Sequence, residues 1–194
     1  MKLPGMSRQI IGMCYDVGPT ADSNYGKGPG SIMLRVPFVA QKHVNLCSDA
    51  SAMMILQAWG YATNRTTKTN PRGAFQGARL SDHTDLVNQG PTEWSTEVDV
   101  DQGDAGLDAK TWSIQLGQRG PIGCSISGVL PGTAHCVVLI GAYGDQGHVV
   151  IHDPWRGPRL SMSADSFNEV LRYYTWPVKI GATRLTTRGA AWAS

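Results

Sequence analysis

The sequence lacks long apolar runs and contains few charged residues. No run of about 18 consecutive apolar residues, the length that predicts a membrane-spanning helix, occurs in the chain. Residues 1–8 lack the apolar core of a secretory signal, so Sec export is not predicted. Charged residues make up 16% of the chain and the formal net charge is +2. With no basic run, this composition gives no reason to expect a nucleic-acid partner.

Cysteine is also scarce, and its spacing excludes several kinds of site. The chain has four cysteines, and none belongs to a CxxC pair, so neither a disulfide framework nor a zinc site or redox dithiol is predicted. The acidic run at residues 99–104 does not fit an EF-hand loop. No metal or cofactor is therefore expected, and each cysteine is considered alone: Cys14, Cys47, Cys124 and Cys136.

Glycine and proline are plentiful, with 23 and 11 residues, and hydrophobic residues make up 41% of the chain. Such a composition predicts many turns around a substantial core, which favours one α+β domain over a helix bundle or a disordered chain. Residues 1–30 are glycine-rich without periodicity and predict an irregular N-terminal arm. The folded domain is expected over residues 31–180, followed by a C-terminal tail at 181–194.

Periodicity predicts three firm helices and an antiparallel sheet. Small or apolar residues recur every three or four positions from Cys47 to Trp59, and Gly60 stands where a helix would end. Asp108 and Ser163 are placed to cap two further helices, at 109–118 and up to Leu171, and a weaker helix is indicated at 82–87. Alternating or β-rich runs, with a hairpin turn at 144–147, predict strands at 31–36, 121–126, 134–143, 148–151 and 172–176.

The predicted first helix places Cys47 at its N-terminus, where the helix dipole favours a thiolate over a thiol. A cysteine on an apolar helix face is more often a small core residue, so this placement alone does not identify a nucleophile. Gln41 stands six residues earlier in a loop. Its amide N–H and the backbone N–H of Cys47 are a candidate oxyanion hole for a carbonyl attacked by the sulfur.

His135 interrupts an otherwise apolar strand, the kind of place where a histidine is either a hydrogen-bonded core residue or a rigidly held base. The predicted hairpin brings Asp153 beside it, where a carboxylate would orient the ring. Cys136 is expected to point to the opposite face of the strand and to be a core residue, like Cys124. His152 is assigned to the surface or a turn, as is His148.

These motifs resemble the papain-like cysteine proteases, and among them the small bacterial avirulence-effector proteases. The similarity extends over about residues 36–171. The chain also resembles the peptidase domains of bacteriocin-leader exporters. It is carried by the loop from Gln41 to Cys47 and by the segments 36–41, 134–138 and 150–157.

The resemblance implies a papain-like fold, in which the helix of the nucleophile packs on a twisted antiparallel sheet. It implies Cys47 as nucleophile, His135 as base and acid, Asp153 as orienting group and Gln41 in the oxyanion hole. The implied reaction is hydrolysis of a protein or peptide substrate through an acyl-enzyme. The implied setting is a bacterial effector or toxin, exported by a specialised secretion system or otherwise cytoplasmic, with a cognate immunity or inhibitor protein.

Two alternatives stay open at this point. A cell-wall amidase or a protein deamidase would use the same triad on a different amide. The second alternative is an inactive papain-like domain used for binding. It is kept open because Ser48 and Asp49 follow Cys47, where the effectors usually carry a tryptophan. The Asp49 carboxylate is expected to raise the pKa of the neighbouring thiol.

Overall fold

A computed structural model describes residues 15–16, 30–61, 63, 80, 93–95, 98–99, 107–127 and 133–178. The helices in these ranges are α1 (Cys47–Ala58), α2 (Ala109–Arg119) and α3 (Ala164–Val170). The strands are β1 (Tyr15–Asp16), β2 (Ser31–Met33), β3 (Glu93–Trp94), β4 (Val98–Asp99), β5 (Ile122–Ser127), β6 (Ala134–Tyr143), β7 (His148–Asp153), β8 (Gly157–Ser163), β9 (Leu171–Thr175) and β10 (Pro177–Val178).

The three firm helices begin and end close to where the sequence predicts them. The side chain of Asp108 accepts a hydrogen bond from the backbone N–H of Thr111 at 2.6 Å and so caps α2. Ser163 caps α3 in the same way, by accepting from the backbone N–H of Ser166 at 3.1 Å. Beyond the C-terminal end of α1, Gly60 has a left-handed φ of 79°, which glycine adopts without steric cost.

The antiparallel sheet is also confirmed. Its strands follow the order β1-β8-β7-β6-β5-β9-β4, with β2 paired to the end of β6, and every pairing is antiparallel. The short pair of β3 and β10 forms a separate sheet. Strands β6 and β7 form the predicted hairpin, and β6 is central because it is bordered by β7 on one side and by β5 and β2 on the other.

Strand β8 is the main element that the sequence pattern does not predict. It begins with Gly157 and Pro158, residues that usually interrupt strands, and Arg159 has a left-handed φ of 56°. The inward-facing apolar residues are limited to Leu160 and Met162, too few for a clear alternation. The first predicted strand is shorter than expected, since β2 ends at Met33. The weak helix at 82–87 lies outside the described residues.

Helices cover both faces of the sheet. On one face, α1 packs against side chains of β6 and β7. On the other face, α2 and α3 pack against the side chains that alternate with these along the same two strands. Because β6 is buried on both faces, nearly all of its residues are apolar. A mixed helix and strand domain with an antiparallel sheet is compatible with the predicted fold class. The face toward α1 carries Cys136, Val138, Ile140 and Val150, and the other carries Val137, Leu139, Val149 and Ile151.

The limits proposed for the arm, the domain and the tail remain predictions, because most of the arm and the whole tail lie outside the described residues. Within the arm, β1 pairs with β8 along Tyr15 and Ser161. Among the described helices, none has the length and apolar character needed to cross a membrane.

Candidate active site

Cys47 is the first residue of α1, as the periodicity predicts, and it is half-buried. Leu46 occupies the N-cap position without a side-chain hydrogen bond to the first turn. The side chains that follow, Ser48 and Asp49, are buried, and Ala50 packs fully inside. The helix is therefore anchored by its inner face while its first residue presents the sulfur at the positive end of the helix dipole.

His135 and Asp153 meet across the β6–β7 hairpin. His135 is the second residue of β6 and Asp153 the last of β7, and His135 Nε2 donates to Asp153 Oδ1 at 2.7 Å. The His135 ring also hydrogen-bonds to Cys47. Since Nε2 is held by the carboxylate, Nδ1 is the nitrogen that faces the sulfur. The ring of His135 thus lies between the sulfur of Cys47 and the carboxylate of Asp153.

Asp153 is almost fully buried and well supplied with hydrogen-bond donors. Besides the ring of His135, its Oδ1 accepts from the backbone N–H groups of Trp155 at 2.8 Å and Arg156 at 3.1 Å. Burial acts to raise the pKa of Asp153, but these hydrogen bonds outweigh it, so the pKa falls below its ordinary range. The turn after β7 therefore holds an ionised carboxylate against the histidine.

Cys47 and His135 form an ion pair at neutral pH. The pKa of Cys47 falls to about 4, chiefly because the side chain of Cys136 hydrogen-bonds to the sulfur; burial opposes this effect, and His135 reinforces it. Burial acts to lower the pKa of His135, but Asp153 and Cys47 raise it to about 9. The resting state is therefore a thiolate beside an imidazolium. The expectation that Asp49 raises the pKa of Cys47 is wrong.

Cys136 is buried, as predicted, but it is not remote from the site. Alternation along β6 places it on the face that α1 covers, in the apolar cluster against which Cys47 packs. The face of β6 that Cys136 occupies is the one that α1 covers, so a core position and a position near the nucleophile are the same place.

Gln41 lies in the loop before α1 and is held next to the loop that follows Asp153. Its backbone N–H donates to the carbonyl of Pro154 at 2.9 Å. Its side-chain Nε2 donates to the carbonyl of His43 at 2.9 Å, and its Oε1 is buried without a hydrogen-bond partner among the described residues. A side-chain amide carries two N–H donors, and the bond to His43 uses one of them. The side chain is half-buried and braced rather than loose in solvent.

His152 contradicts its assignment to the surface or a turn. It is 2% exposed, and its Nε2 donates to the carbonyl of Val36 at 3.0 Å while its Nδ1 accepts from the backbone N–H of Arg159 at 3.0 Å. Phe38 packs edge-on against the ring, with centroids 5.5 Å apart. Burial lowers the pKa of His152, which keeps the ring neutral. This ring ties β7 and β8 to the segment that leads to Gln41.

Two histidines, His148 and His43, and one cysteine, Cys124, complete the described residues of these types. His148 belongs to the hairpin turn, where its Nδ1 hydrogen-bonds to the carbonyl of Gln146 at 2.7 Å. Cys124 is fully buried on β5, and burial raises the pKa of its thiol. His43 is exposed. In the part of the chain that the structure describes, no cluster of three or more His, Cys, Asp or Glu side chains could hold a metal ion.

The chain was compared with known protein families and with curated proteins. The family model of papain-like cysteine protease AvrRpt2 matches residues 30–172, which is well over half of the chain. The match includes the stretch on which the sequence resemblance rests, and it contains all four candidate site residues. Comparison with the curated proteins found no match.

Proposed function

Because the chain belongs to the family of papain-like cysteine protease AvrRpt2, we propose that it hydrolyses peptide bonds through a triad of Cys47, His135 and Asp153. The family assignment makes the chain a papain-like cysteine peptidase. The proposal adds the residues, their roles and the biological setting. The observation that carries it is the position of His135, which lies in hydrogen-bond contact with the buried carboxylate of Asp153 and with the sulfur of Cys47.

In the proposed reaction, the thiolate of Cys47 attacks the carbonyl carbon of the scissile bond. The carbonyl oxygen gains the negative charge and receives hydrogen bonds from the backbone N–H of Cys47 and the second N–H of Gln41. His135 gives its Nδ1 proton to the leaving nitrogen, the C–N bond breaks, and an amine leaves behind a thioester on Cys47. A water molecule then gives a proton to His135 and attacks the thioester, which releases the acid and restores the thiolate.

Two features support this assignment of roles. The ion pair of Cys47 and His135 removes the need to deprotonate the nucleophile at the moment of attack. Asp153 holds the ring through Nε2 and leaves Nδ1 toward the sulfur, so one nitrogen is anchored while the other transfers the proton. The same features count against an inactive binding domain, since binding alone does not require an ionised thiol.

The biological setting is part of the proposal. A papain-like peptidase of this family acts on a protein substrate, and the resemblance to avirulence effectors supports a bacterial effector or toxin that is exported into a target cell. A cognate immunity or inhibitor protein follows from that role, because a protease with a thiolate at neutral pH endangers the cell that makes it. The cytoplasm is the alternative location if the chain is not exported.

Mass spectrometry of newly formed peptide N-termini tests the activity. A lysate is treated with the wild type, with Cys47→Ala, and with Cys124→Ala as a control that removes a buried thiol from the other side of the sheet. We expect new N-termini with the wild type and Cys124→Ala but not with Cys47→Ala. Ammonia release without new N-termini would identify a deamidase, and cleavage of muropeptides an amidase. If the wild type does none of these, the chain is a binding domain.

The pH dependence of kcat/KM is expected to be bell-shaped. The acid limb should lie near pH 4, where Cys47 gains a proton and loses its nucleophilicity, and the alkaline limb near pH 9, where His135 loses the proton that the leaving group needs. Because the two groups titrate as a pair, each limb reports the pair rather than one residue. Turnover of a fluorogenic peptide, with folding followed by circular dichroism, measures the curve. A single rise near the pKa of an ordinary thiol would contradict the ion pair.

Gln41→Ala is expected to lower kcat by about 10²-fold with little change in KM, because the lost N–H acts on the charge that develops in the transition state. Gln41→Glu is the matched variant: it keeps the size of the side chain but offers no amide donor, so it should lose at least as much. Both are measured by steady-state kinetics on the peptide identified in the lysate. Unchanged kcat in Gln41→Ala would remove this residue from the oxyanion hole.

A further inference from the structure

We propose that His152 is a positioning residue for the oxyanion hole. Its ring holds the segment 36–41 against β7 and β8, so that the side-chain amide of Gln41 stands at a fixed place beside Asp153. The inference rests on the proposed function, in which Gln41 donates a hydrogen bond to the oxygen of the attacked carbonyl. It adds a buried histidine that acts through Gln41 and touches neither the substrate nor the reacting atoms.

The ring of His152 connects three segments of the chain. Its Nε2 lies 3.0 Å from the carbonyl oxygen of Val36, and the backbone N–H of Arg159 donates to its Nδ1 at 3.0 Å. A carbonyl only accepts and an N–H only donates, so the ring is neutral and carries its proton on Nε2. Phe38 packs edge-on against it, with centroids 5.5 Å apart. Both nitrogens are therefore occupied, and the residue is only 2% exposed to water that could replace either partner.

The backbone of β8 depends on the same ring. The pairing of β7 with β8 shifts register at His152, which faces residues 158–159 of β8 there. Arg159 has a left-handed φ of 56°, a conformation that costs free energy in a residue with a side chain, and its N–H donates to the ring. Irregular pairing of this kind often re-aims a side chain next to an active site. Here the side chain at the irregularity is the one that reaches Val36.

The segment 36–41 is tied at both ends to the stretch that contains Asp153. At its start, the carbonyl of Val36 accepts from His152. At its end, the backbone N–H of Gln41 donates to the carbonyl of Pro154 at 2.9 Å. Because Asp153 lies between these two anchors, the pair of bonds fixes Gln41 relative to the triad. Loss of the His152 bond leaves one anchor, about which the segment can pivot.

Steady-state kinetics of two amides at position 152 test the proposal. His152→Asn keeps an acceptor close to the backbone for Arg159, but its side chain is too short to reach Val36. We expect it to lower kcat about tenfold with little change in KM, because a small displacement of Gln41 weakens a hydrogen bond that acts in the transition state. His152→Gln is longer by one methylene, so its amide N–H reaches Val36 and should restore most of kcat.

His152→Phe keeps an aromatic ring but offers neither donor nor acceptor, and it should lose at least as much kcat as His152→Asn. Either variant suffices where the other does not fold, which circular dichroism establishes. Thr175→Val is the control for a lost buried hydrogen bond, because Thr175 lies on β9, three strands from β7, and bonds to Ser95. Its kcat should equal that of the wild type.

A double-mutant cycle with Gln41→Ala locates the effect. If His152 acts through Gln41, adding His152→Asn to Gln41→Ala should lower kcat no further. Amide hydrogen exchange of the Gln41 N–H gives a second readout that does not depend on activity. It should be about tenfold faster in His152→Asn than in the wild type or Thr175→Val, because the segment has lost one of its two anchors.

The outcomes separate this inference from the proposed function. Wild-type kcat in a folded His152→Asn or His152→Phe, or a further loss when either is added to Gln41→Ala, would overturn the role of His152 and leave the triad in place. So would unchanged exchange at Gln41, or a loss in His152→Gln as large as that in His152→Asn. Unchanged kcat in Gln41→Ala, or an inactive wild type, would overturn the proposed role of Gln41 and this inference together.

Discussion

Replacing Cys47 or His135 by alanine is expected to lower kcat by about 10⁴-fold to 10⁶-fold, and replacing both is expected to lower it no further. The two side chains act as one ion pair, so removing either member disables the other. Without His135 the sulfur loses a hydrogen bond and a neighbouring positive charge, and the leaving nitrogen loses its proton donor. Without Cys47 the site has no nucleophile, so no acyl-enzyme forms.

The measurement is single-turnover cleavage of the peptide found in the lysate, with the single variants, the double variant and the buffer alone. His148→Ala is the matched control for His135→Ala, because His148 belongs to the hairpin turn of the same two strands and bonds to a backbone carbonyl. Its turnover should equal that of the wild type. Losses that multiply in the double variant would show that the two residues act independently, which contradicts the ion pair.

Asp153→Asn is expected to keep kcat within about tenfold of the wild type near neutral pH, whereas Asp153→Ala should lose about 10³-fold. The amide oxygen of asparagine can replace Oδ1 as acceptor for His135, Trp155 and Arg156. Because the ring is already protonated on both nitrogens in the resting state, the amide does not have to select a tautomer. Alanine leaves the ring unanchored and two backbone N–H groups without their acceptor.

Two further readouts make the Asp153 prediction specific. Loss of the carboxylate charge should lower the pKa of His135, so the alkaline limb of the pH curve is expected to move to lower pH in Asp153→Asn. Asp153→Ala should also melt at a lower temperature, since two part-buried backbone N–H groups lose their acceptor and a typical hydrogen bond contributes about 0.5–1.5 kcal/mol. A chelator should change none of these rates. Full activity in Asp153→Ala, or activity of the wild type that a chelator abolishes, would contradict the triad.

Much of the fold could be predicted because its strongest signals are local. The period of apolar residues along α1 and the glycine-rich turn between β6 and β7 depend on neighbouring residues alone. Those two elements carry Cys47, His135 and Asp153, so the sequence could bring them together. Strand β8 could not be found this way, because its pairing with β7 overrides an unfavourable start at Gly157 and Pro158.

The surroundings that the sequence does not predict depend on contacts between distant segments. Alternation predicts on which face of β6 Cys136 lies, but not that α1 covers this face with Cys47 above it. In the same way, nothing local shows that His152 meets Val36, which is 116 residues away in the sequence. Closeness in the sequence predicts that Asp49 raises the pKa of Cys47, whereas groups on β6 lower the pKa of this thiol against the effect of burial.

The division of the triad between a hairpin and a helix has a consequence for how activity arises during folding. His135 and Asp153 are 18 residues apart and meet across one turn, whereas Cys47 reaches them only when α1 docks on the sheet. Contacts between distant segments cost more chain entropy than local ones. A chain with a formed hairpin but an undocked α1 therefore has an oriented histidine and, apart from it, a thiol with an ordinary pKa, and it is inert. The onset of cleavage during refolding would therefore report the docking of α1 on the sheet, separately from the formation of the helix and of the strands.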